Sequence, residues 1–145
     1  MITISKVAIV YWSGTGNTEA MANCVAEGVK AAGGTADLLG PGEFDAAKLS
    51  DYQAVAFGCP AMGAEVLEES EFEPMFSGLE GSLSGKKVAL FGSYGWGDGQ
   101  WMRDWFERCE AAGASLCQSE GLIANEAPDD SAQEACCDLG RTLAA

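Results

Sequence analysis

The chain has no histidine, and it has only eight Lys and Arg residues against 22 Asp and Glu. The missing histidine removes the commonest general base, which disfavours acid–base and nucleophilic catalysis. The formal net charge of −14 disfavours nucleic acid and anionic membranes as partners, because both are themselves negatively charged. We therefore expect no nucleic acid and no membrane among the partners, and we do not expect an enzyme.

The six cysteines lack the spacing of a metal or iron–sulfur site, since no C-x-x-C pair occurs. Most of them fall in apolar runs, as small core residues of a cytoplasmic protein do. The first residues are too few and too polar for a signal peptide, and no apolar stretch approaches the length of a membrane span. The sequence predicts a cytoplasmic protein without metal, folded as a single domain over residues 1–145.

Strand-like and helix-like segments alternate along the chain. Strands are predicted at 7–10, 36–39, 54–59 and 87–93, and a broken fifth strand at 116–124. Helices are predicted at 21–32, 71–77, 99–112 and from about 129, with a single turn at 44–49. The residues that recur at helical spacing on the expected buried face of the first helix are Met21, Cys24, Val25, Gly28, Val29 and Ala32. This alternation predicts a parallel sheet with helices on both faces and right-handed crossovers. Ligands of such sheets bind outside the carboxyl ends of the strands.

Residues 11–18 form a turn rich in glycine and hydroxyl groups between the first strand and the first helix. The helix N-terminus offers unpaired amide groups and the positive end of the helix dipole, which favours an anion. Gly14 and Gly16 let the backbone approach a ligand closely. The side-chain donors of the turn are Ser13, Thr15, Asn17 and Thr18. No Lys or Arg lies between Lys6 and Lys30, so a phosphate would be held by neutral dipoles alone.

Two other phosphate-binding patterns do not match this turn. The P-loop pattern requires a lysine that the turn lacks. The dinucleotide pattern G-x-G-x-x-G lacks its third glycine, because Glu19 occupies that position. Asp37 does lie where the dinucleotide pattern places its ribose-binding acid, so that alternative stays open. An ordinary turn between a strand and a helix is the remaining alternative.

Two further loops follow the third and fourth strands, at residues 59–65 and 93–99. Trp96 stands between two glycines, so its sequence neighbours offer nothing to pack against it. We expect its indole to stack on a flat ligand, with Met62 covering the opposite face of that ligand. The alternative is that Trp96 is simply an exposed aromatic residue of a loop.

The three loops together resemble the flavodoxins, in particular the short-chain clostridial type. The segments Ser-Gly-Thr-Gly-Asn-Thr at 13–18, Pro-Ala-Met-Gly-Ala-Glu-Val-Leu-Glu-Glu-Ser at 60–70 and Gly-Ser-Tyr-Gly-Trp-Gly-Asp-Gly at 92–99 carry the resemblance. It implies a three-layer α/β fold, with a doubly wound five-stranded parallel sheet of order 2-1-3-4-5. It also implies non-covalently bound FMN and one-electron transfer at low potential, on the semiquinone/hydroquinone couple.

The resemblance also implies roles for particular residues. Ser13, Thr15, Gly16, Asn17 and Thr18 would hold the phosphate, Met62 and Trp96 would enclose the ring, and Glu65 would accept from its N3–H. The amides of Gly95 and Gly97 would face the pyrimidine oxygens. The complete implied cofactor-binding set is Trp12, Ser13, Gly14, Thr15, Gly16, Asn17, Thr18, Pro60, Ala61, Met62, Gly63, Ala64, Glu65, Ser93, Tyr94, Gly95, Trp96, Gly97, Asp98 and Gly99.

One position departs from the clostridial pattern. In flavodoxins the peptide that corresponds to Gly63-Ala64 turns over on reduction, and here Ala64 stands in place of aspartate. Gly63 suits such a turn because it can adopt positive φ. The loop therefore carries one negative charge fewer than the clostridial pattern.

The acidic composition favours redox partner proteins with basic patches, and the protein is expected to be a monomer. The acidic stretch from Glu65 to Glu73 is of a kind that usually forms a solvated face. Two alternatives to a carrier are a flavodoxin-like FMN reductase of quinones or similar small acceptors, and a flavin-free interaction domain of the same fold.

Overall fold

The structure is a computed structural model that describes residues 5–62 and 66–145. Gly63, Ala64 and Glu65 lie outside the described residues, and the roles predicted for them remain predictions. In the described part of the chain, no helix is long and apolar enough to cross a membrane.

A parallel sheet forms the middle layer of the molecule. Its strands are β1 (Lys6–Tyr11), β2 (Thr35–Leu39), β3 (Ala54–Gly58), β4 (Lys87–Tyr94), β5 (Ser115–Leu116) and β6 (Leu122–Asn125). The order is β2-β1-β3-β4-β5, and β6 also pairs with β4. The predicted order 2-1-3-4-5 is therefore confirmed. The fifth position is shared by two short strands, because β5 pairs with the start of β4 and β6 with its end.

In the described part of the chain, five α-helices cover the two faces of the sheet, and short 3-10 turns lie at Pro41–Glu43 and Glu80–Ser82. The five α-helices are α1 (Asn17–Ala31), α2 (Ala46–Leu49), α3 (Phe72–Leu79), α4 (Gln100–Ala111) and α5 (Asp130–Ala144). Helices α1 and α5 bury one face, and α2, α3 and α4 bury the other. The helices therefore form one apolar core on each face of the sheet. Because the central strands are buried on both faces, their sequences are continuously apolar.

The predicted bounds of the strands and helices agree with the structure to within about two residues at most ends. The burial of the side chains differs from the prediction mainly at the end of α1. Ala32 was expected on the buried face of this helix, but it is exposed. The helix ends at Ala31, and Gly33 adopts a left-handed φ of 87° that turns the chain toward β2. Cys24 is only half-buried, whereas Met21, Val25 and Val29 are fully buried as predicted.

Helices α1 and α5 pack with their backbones in direct contact. A methyl group on Gly28 would lie 1.8 Å from the carbonyl oxygen of Cys137, and one on Gly140 would lie 2.0 Å from that of Val25. Such distances are far inside van der Waals contact, so only hydrogen atoms fit at these two positions. The two glycines therefore set the distance between the helices.

The composition of the acidic stretch suggested one solvated face, but the structure shows that two of its glutamates have structural partners. Glu68 is only 7% exposed, and its carboxylate accepts hydrogen bonds from the amides of Ser70 (3.0 Å), Glu71 (2.7 Å) and Phe72 (2.9 Å) and from the Ser70 hydroxyl. Burial by itself would raise the pKa of Glu68, but these hydrogen bonds outweigh it and lower the pKa to about 2. The carboxylate therefore satisfies the amide groups at the start of α3.

Glu73 also has a structural partner. Its two carboxylate oxygens accept from Arg108 at 2.8 and 2.6 Å, and Arg108 also donates to Glu80 at 2.8 Å. These hydrogen bonds from Arg108 lower the pKa of Glu73. The arginine thereby ties α3 to α4, whereas Glu69 and Glu71 are exposed as expected.

We expect Glu68→Gln to destabilise the protein by about 2 kcal/mol at pH 7, because the amide replaces a charged acceptor of several hydrogen bonds. The folded pKa of about 2 lies below the ordinary value of 4.5, so the carboxylate stabilises the fold fully above that ordinary value. Its contribution then disappears as the pH falls toward 2. Urea denaturation at several pH values should show the difference from the wild type narrowing on acidification.

The matched control is Glu69→Gln, which removes an exposed carboxylate one residue away. It should change stability by less than about 0.5 kcal/mol at any pH. Equal effects of the two substitutions would contradict the role assigned to Glu68.

Candidate functional site

A cavity of about 510 Å³ opens at the carboxyl edge of the sheet. It lies between the loops that follow β1, β3, β4 and β6. Its lining residues are Trp12, Ser13, Gly14, Thr15, Asn17, Thr18, Pro60, Ala61, Met62, Ser93, Tyr94, Gly95, Glu126 and Ala127. The volume falls within the range of small-molecule and cofactor sites.

Hydrogen bonds between neighbouring strands continue past the strand ends and fix these loops. The Trp12 amide donates to Gly58 O at 3.0 Å, and the Ala61 amide donates to Ser93 O at 3.1 Å. The Glu126 amide donates to Tyr94 O at 2.7 Å. Each loop therefore leaves the sheet in a direction set by its neighbour, and the cavity walls are extensions of the sheet itself.

The polar end of the cavity lies at the start of α1. Gly16 caps this helix with a left-handed φ of 94°, a conformation that glycine adopts without strain. The Ser13 hydroxyl oxygen accepts from the amides of Gly16 (3.1 Å) and Glu19 (3.2 Å). Within residues 5–62 and 66–145, the amides of Asn17 and Thr18 have no acceptor. These two donors and the helix dipole favour an anion at this end.

The Thr18 side chain joins α1 to β4 beneath the polar end. Its hydroxyl lies 2.9 Å from that of Ser93 and accepts from the Ser93 amide at 3.4 Å. Both residues are buried, with 1% and 4% of their surface exposed. The hydroxyl group predicted to hold a phosphate is thus already engaged by the protein, so Thr18 offers chiefly its backbone amide to a ligand.

The rest of the cavity wall is apolar and aromatic, and it is formed by Trp12, Pro60, Ala61, Met62 and Tyr94. Met62 pairs with Val66 through two backbone hydrogen bonds of 2.9 Å, which hold the two described ends of its loop together. This wall suits a flat apolar group.

Trp101 supports the apolar wall from behind. It is 2% exposed, packs on Tyr94 with ring centroids 5.6 Å apart, and donates from Nε1 to Cys59 O at 3.1 Å. A methyl group on Gly92 would lie 2.2 Å from the same oxygen, so only glycine fits there. Trp101 and Trp105 both belong to α4, and both are buried in the core on this face of the sheet.

Of the predicted site residues that the structure describes, five are not part of the cavity lining. These are Gly16, Trp96, Gly97, Asp98 and Gly99. Trp96 is 51% exposed in the loop that starts at the cavity wall with Gly95. Asp98 accepts from Arg103 at 3.0 Å, and Gly99 caps α4 with a φ of 93°. The last two residues therefore have roles at the start of α4.

The sequence did not indicate Glu126 and Ala127, which line the cavity after β6. Glu126 has a φ of 57°, the one left-handed conformation of a non-glycine residue in the described part of the chain. No motif marked this loop. Ligands of parallel sheets bind at the carboxyl ends of the strands, and this rule, when applied to the fifth strand as well, includes the loop after β6.

Among the described residues that line the cavity, one has a charged side chain, Glu126, and none is Lys or Arg. Asp37, considered as the ribose-binding acid of a dinucleotide site, lies in β2 and accepts from the Tyr52 hydroxyl at 2.8 Å. Burial and this carboxylate raise the pKa of Tyr52 to about 12. Asp37 thus has a structural partner and does not line the cavity. In the part of the chain that the structure describes, no group of His, Cys, Asp or Glu could hold a metal ion.

Comparisons with known proteins agree with this geometry. Residues 9–140 match the family model described as "Flavodoxin". The chain is 46% identical to a flavodoxin of Clostridium beijerinckii, over 94% of this chain and 97% of that protein. It is 47% identical to a flavodoxin of Megasphaera elsdenii, over 95% and 98% respectively. The solution structure of the two-electron reduced Megasphaera elsdenii flavodoxin superimposes with a TM-score of 0.87, covering 95% of this chain and 98% of that one.

Proposed function

The chain belongs to the flavodoxin family and is therefore an electron carrier that binds FMN, and we propose that it holds this cofactor non-covalently in the cavity at the carboxyl edge. The observation that carries the proposal is one cavity that combines two unpaired amides at the start of α1 with an apolar and aromatic wall. FMN has the matching polarity, because a phosphate and a flat ring lie at opposite ends of it. When bound, it supplies a ring that accepts and returns single electrons.

The phosphate end of the cofactor is assigned to the start of α1. The amides of Asn17 and Thr18 and the side chains of Thr15 and Asn17 are the donors. With no Lys or Arg in the lining, the phosphate keeps its negative charge largely uncompensated. This charge makes the further addition of negative charge to the ring less favourable, which lowers the potential of the carrier.

The ring end is assigned to the loops after β3 and β4. Met62 lies in the cavity wall, and Trp96, which is half-exposed, follows Gly95 in the loop after β4 and is assigned to the opposite face of the ring. An apolar cover on both faces disfavours the charged form of the ring. The roles of Glu65, of the Gly63-Ala64 peptide and of the Gly95 and Gly97 amides are part of the same proposal.

Glu126 is proposed as a further carboxylate that lowers the potential. Changing Glu126 to Gln should raise the lower of the two one-electron potentials by about 20–70 mV, because it removes a negative charge from the cavity wall; this is the size expected when one charge roughly 10 Å from another is removed. Potentiometric titration of the FMN-loaded protein measures this shift, which should shrink as the salt concentration rises.

The control for this substitution is Glu110→Gln, which removes the same charge near the far end of α4. Its effect on the potential should be much smaller. A shift of equal size in both variants would show that total charge, and not the position of Glu126, determines the potential.

The partners are proposed to be redox proteins with basic patches, because the chain carries a net charge of −14. We propose that the protein works as a monomer in the cytoplasm. The six cysteines are all free, which suits a reducing compartment. Association rates with a partner should fall steeply with ionic strength.

Stepwise anaerobic reduction of the FMN-loaded protein, followed by its visible spectrum, tests the proposed function. A stable half-reduced form between the yellow and the bleached protein is expected of a one-electron carrier. Direct bleaching would favour two-electron chemistry, as in a reductase. Failure to retain FMN would contradict the site assignment.

A further inference from the structure

Two partly exposed cysteines lie near each other where α1 packs against α5. Cys24 is in α1 and Cys137 is in α5, and both are half-buried, whereas Cys136 is fully buried. The proposed function uses neither of these two thiols.

The direct contact between the helix backbones brings these two cysteines together. The carbonyl oxygen of Cys137 touches Gly28, where a methyl group would lie 1.8 Å away. Cys24 precedes Gly28 by one helical turn on the same side of α1. Both helices follow parallel strands on one face of the sheet and so run in the same direction. Because Cα–Cβ bonds tilt toward a helix N-terminus, the Cys137 side chain extends from Gly28 toward the turn that carries Cys24.

The ionisation of the thiols is consistent with this proximity. Burial raises the pKa of Cys24, and the Cys137 thiol raises it further. Burial raises the pKa of Cys136 to about 12, with smaller contributions from Cys24 and Cys137. Cys136 is thus fully buried, which leaves Cys24 and Cys137 as the half-buried thiols of this contact that an oxidant can reach.

We propose that Cys24 and Cys137 form a reversible disulfide bond between α1 and α5 when the protein meets a peroxide. One thiolate attacks the peroxide, breaks its O–O bond and becomes a sulfenic acid, with release of one water. The second thiol displaces the sulfenic oxygen as a second water. Two thiols and one hydrogen peroxide thus give one disulfide and two waters, and the thiols lose the two electrons that the peroxide gains. A small dithiol reverses the reaction.

The bond joins two helices that both begin next to the cavity. Helix α1 begins with Asn17 and Thr18 in the cavity wall, and α5 begins shortly after Glu126 and Ala127. A disulfide that closes such a long loop restricts the unfolded chain and stabilises the fold. The cavity walls are thereby held together under oxidising conditions.

Peptide mapping of the FMN-loaded protein without reductant, after treatment with hydrogen peroxide, tests the proposal. The expected product is a peptide pair linked through Cys24 and Cys137, with a melting temperature raised by about 5–10 °C until dithiothreitol is added. Cys24→Ser and Cys137→Ser should abolish both effects, whereas Cys136→Ala and Cys117→Ser should retain them.

A Cys136–Cys137 link, a disulfide between two molecules, or sulfinic acid without any crosslink would overturn the proposal. The FMN absorbance of the same samples reports cofactor binding separately. Failure of the proposed function and failure of the disulfide are therefore distinguishable.

Discussion

Changing Gly140 to Ala is expected to destabilise the protein by about 2–4 kcal/mol, a large part of the stability of a domain of this size. The added methyl group would lie 2.0 Å from the carbonyl oxygen of Val25 and 2.8 Å from the amide nitrogen of Val29. Both are backbone atoms inside a helix and cannot rotate away. The helices must separate, and the apolar contacts on either side of Gly140 are lost. Equilibrium urea denaturation with excess FMN measures the change.

Gly78→Ala is the matched control, since Gly78 is also a helical glycine. It lies in α3, it is exposed, and nothing lies within 4 Å of an added methyl group. Alanine should therefore stabilise the protein by about 0.5–1 kcal/mol through its higher helix propensity. Gly140→Ala should therefore lower the free energy of unfolding, and Gly78→Ala should raise it. A neutral effect of Gly140→Ala would show that α1 and α5 can separate freely.

Changing Trp96 to Ala is expected to weaken FMN binding roughly 10- to 100-fold, because it removes both stacking and buried apolar area. The lower one-electron potential should also rise, because the charged form of the ring gains access to water. The loss of affinity is measured by titrating the apoprotein with FMN and following flavin fluorescence. The potential is measured on the loaded protein.

Trp96→Phe separates the loss of an aromatic face from a general disturbance of the loop. Phenylalanine keeps a flat apolar cover, so most of the affinity and of the potential should be preserved. Ile123→Ala removes another exposed apolar residue, from β6, and should leave both quantities unchanged. If Trp96→Ala itself left affinity and potential unchanged, Trp96 would be only an exposed aromatic residue of the loop.

The sequence was informative wherever function depends on local chain geometry. The turn at 13–18 combines glycine with short polar side chains, and only a few backbone conformations fit such a combination after a buried strand. The loop residues Pro60, Ala61, Met62, Tyr94 and Gly95 could be placed together because parallel strands end at one edge.

Side-chain partners were not predictable in the same way. Thr18 and Ser93 are 75 positions apart, and nothing local indicates that their hydroxyl groups meet beneath the cavity. Glu68 belongs to an acidic run that resembles a solvated surface, yet it is buried at the start of α3. Glu126 lies in the cavity wall and has a left-handed backbone conformation that is uncommon for residues other than glycine. Each of these facts depends on distant segments coming together.

The sequence by itself determined the succession of strands and helices along the chain, the location of the glycine-rich turn before α1 and the family resemblance, because periodicity and turn chemistry act over a few neighbouring residues. Only the tertiary structure decided which hydroxyl groups are already engaged, which carboxylates are buried, and how closely α1 approaches α5. Those properties follow from packing between segments that are far apart in the chain, and burial fixes them by making every unpaired polar atom and every overlapping atom costly.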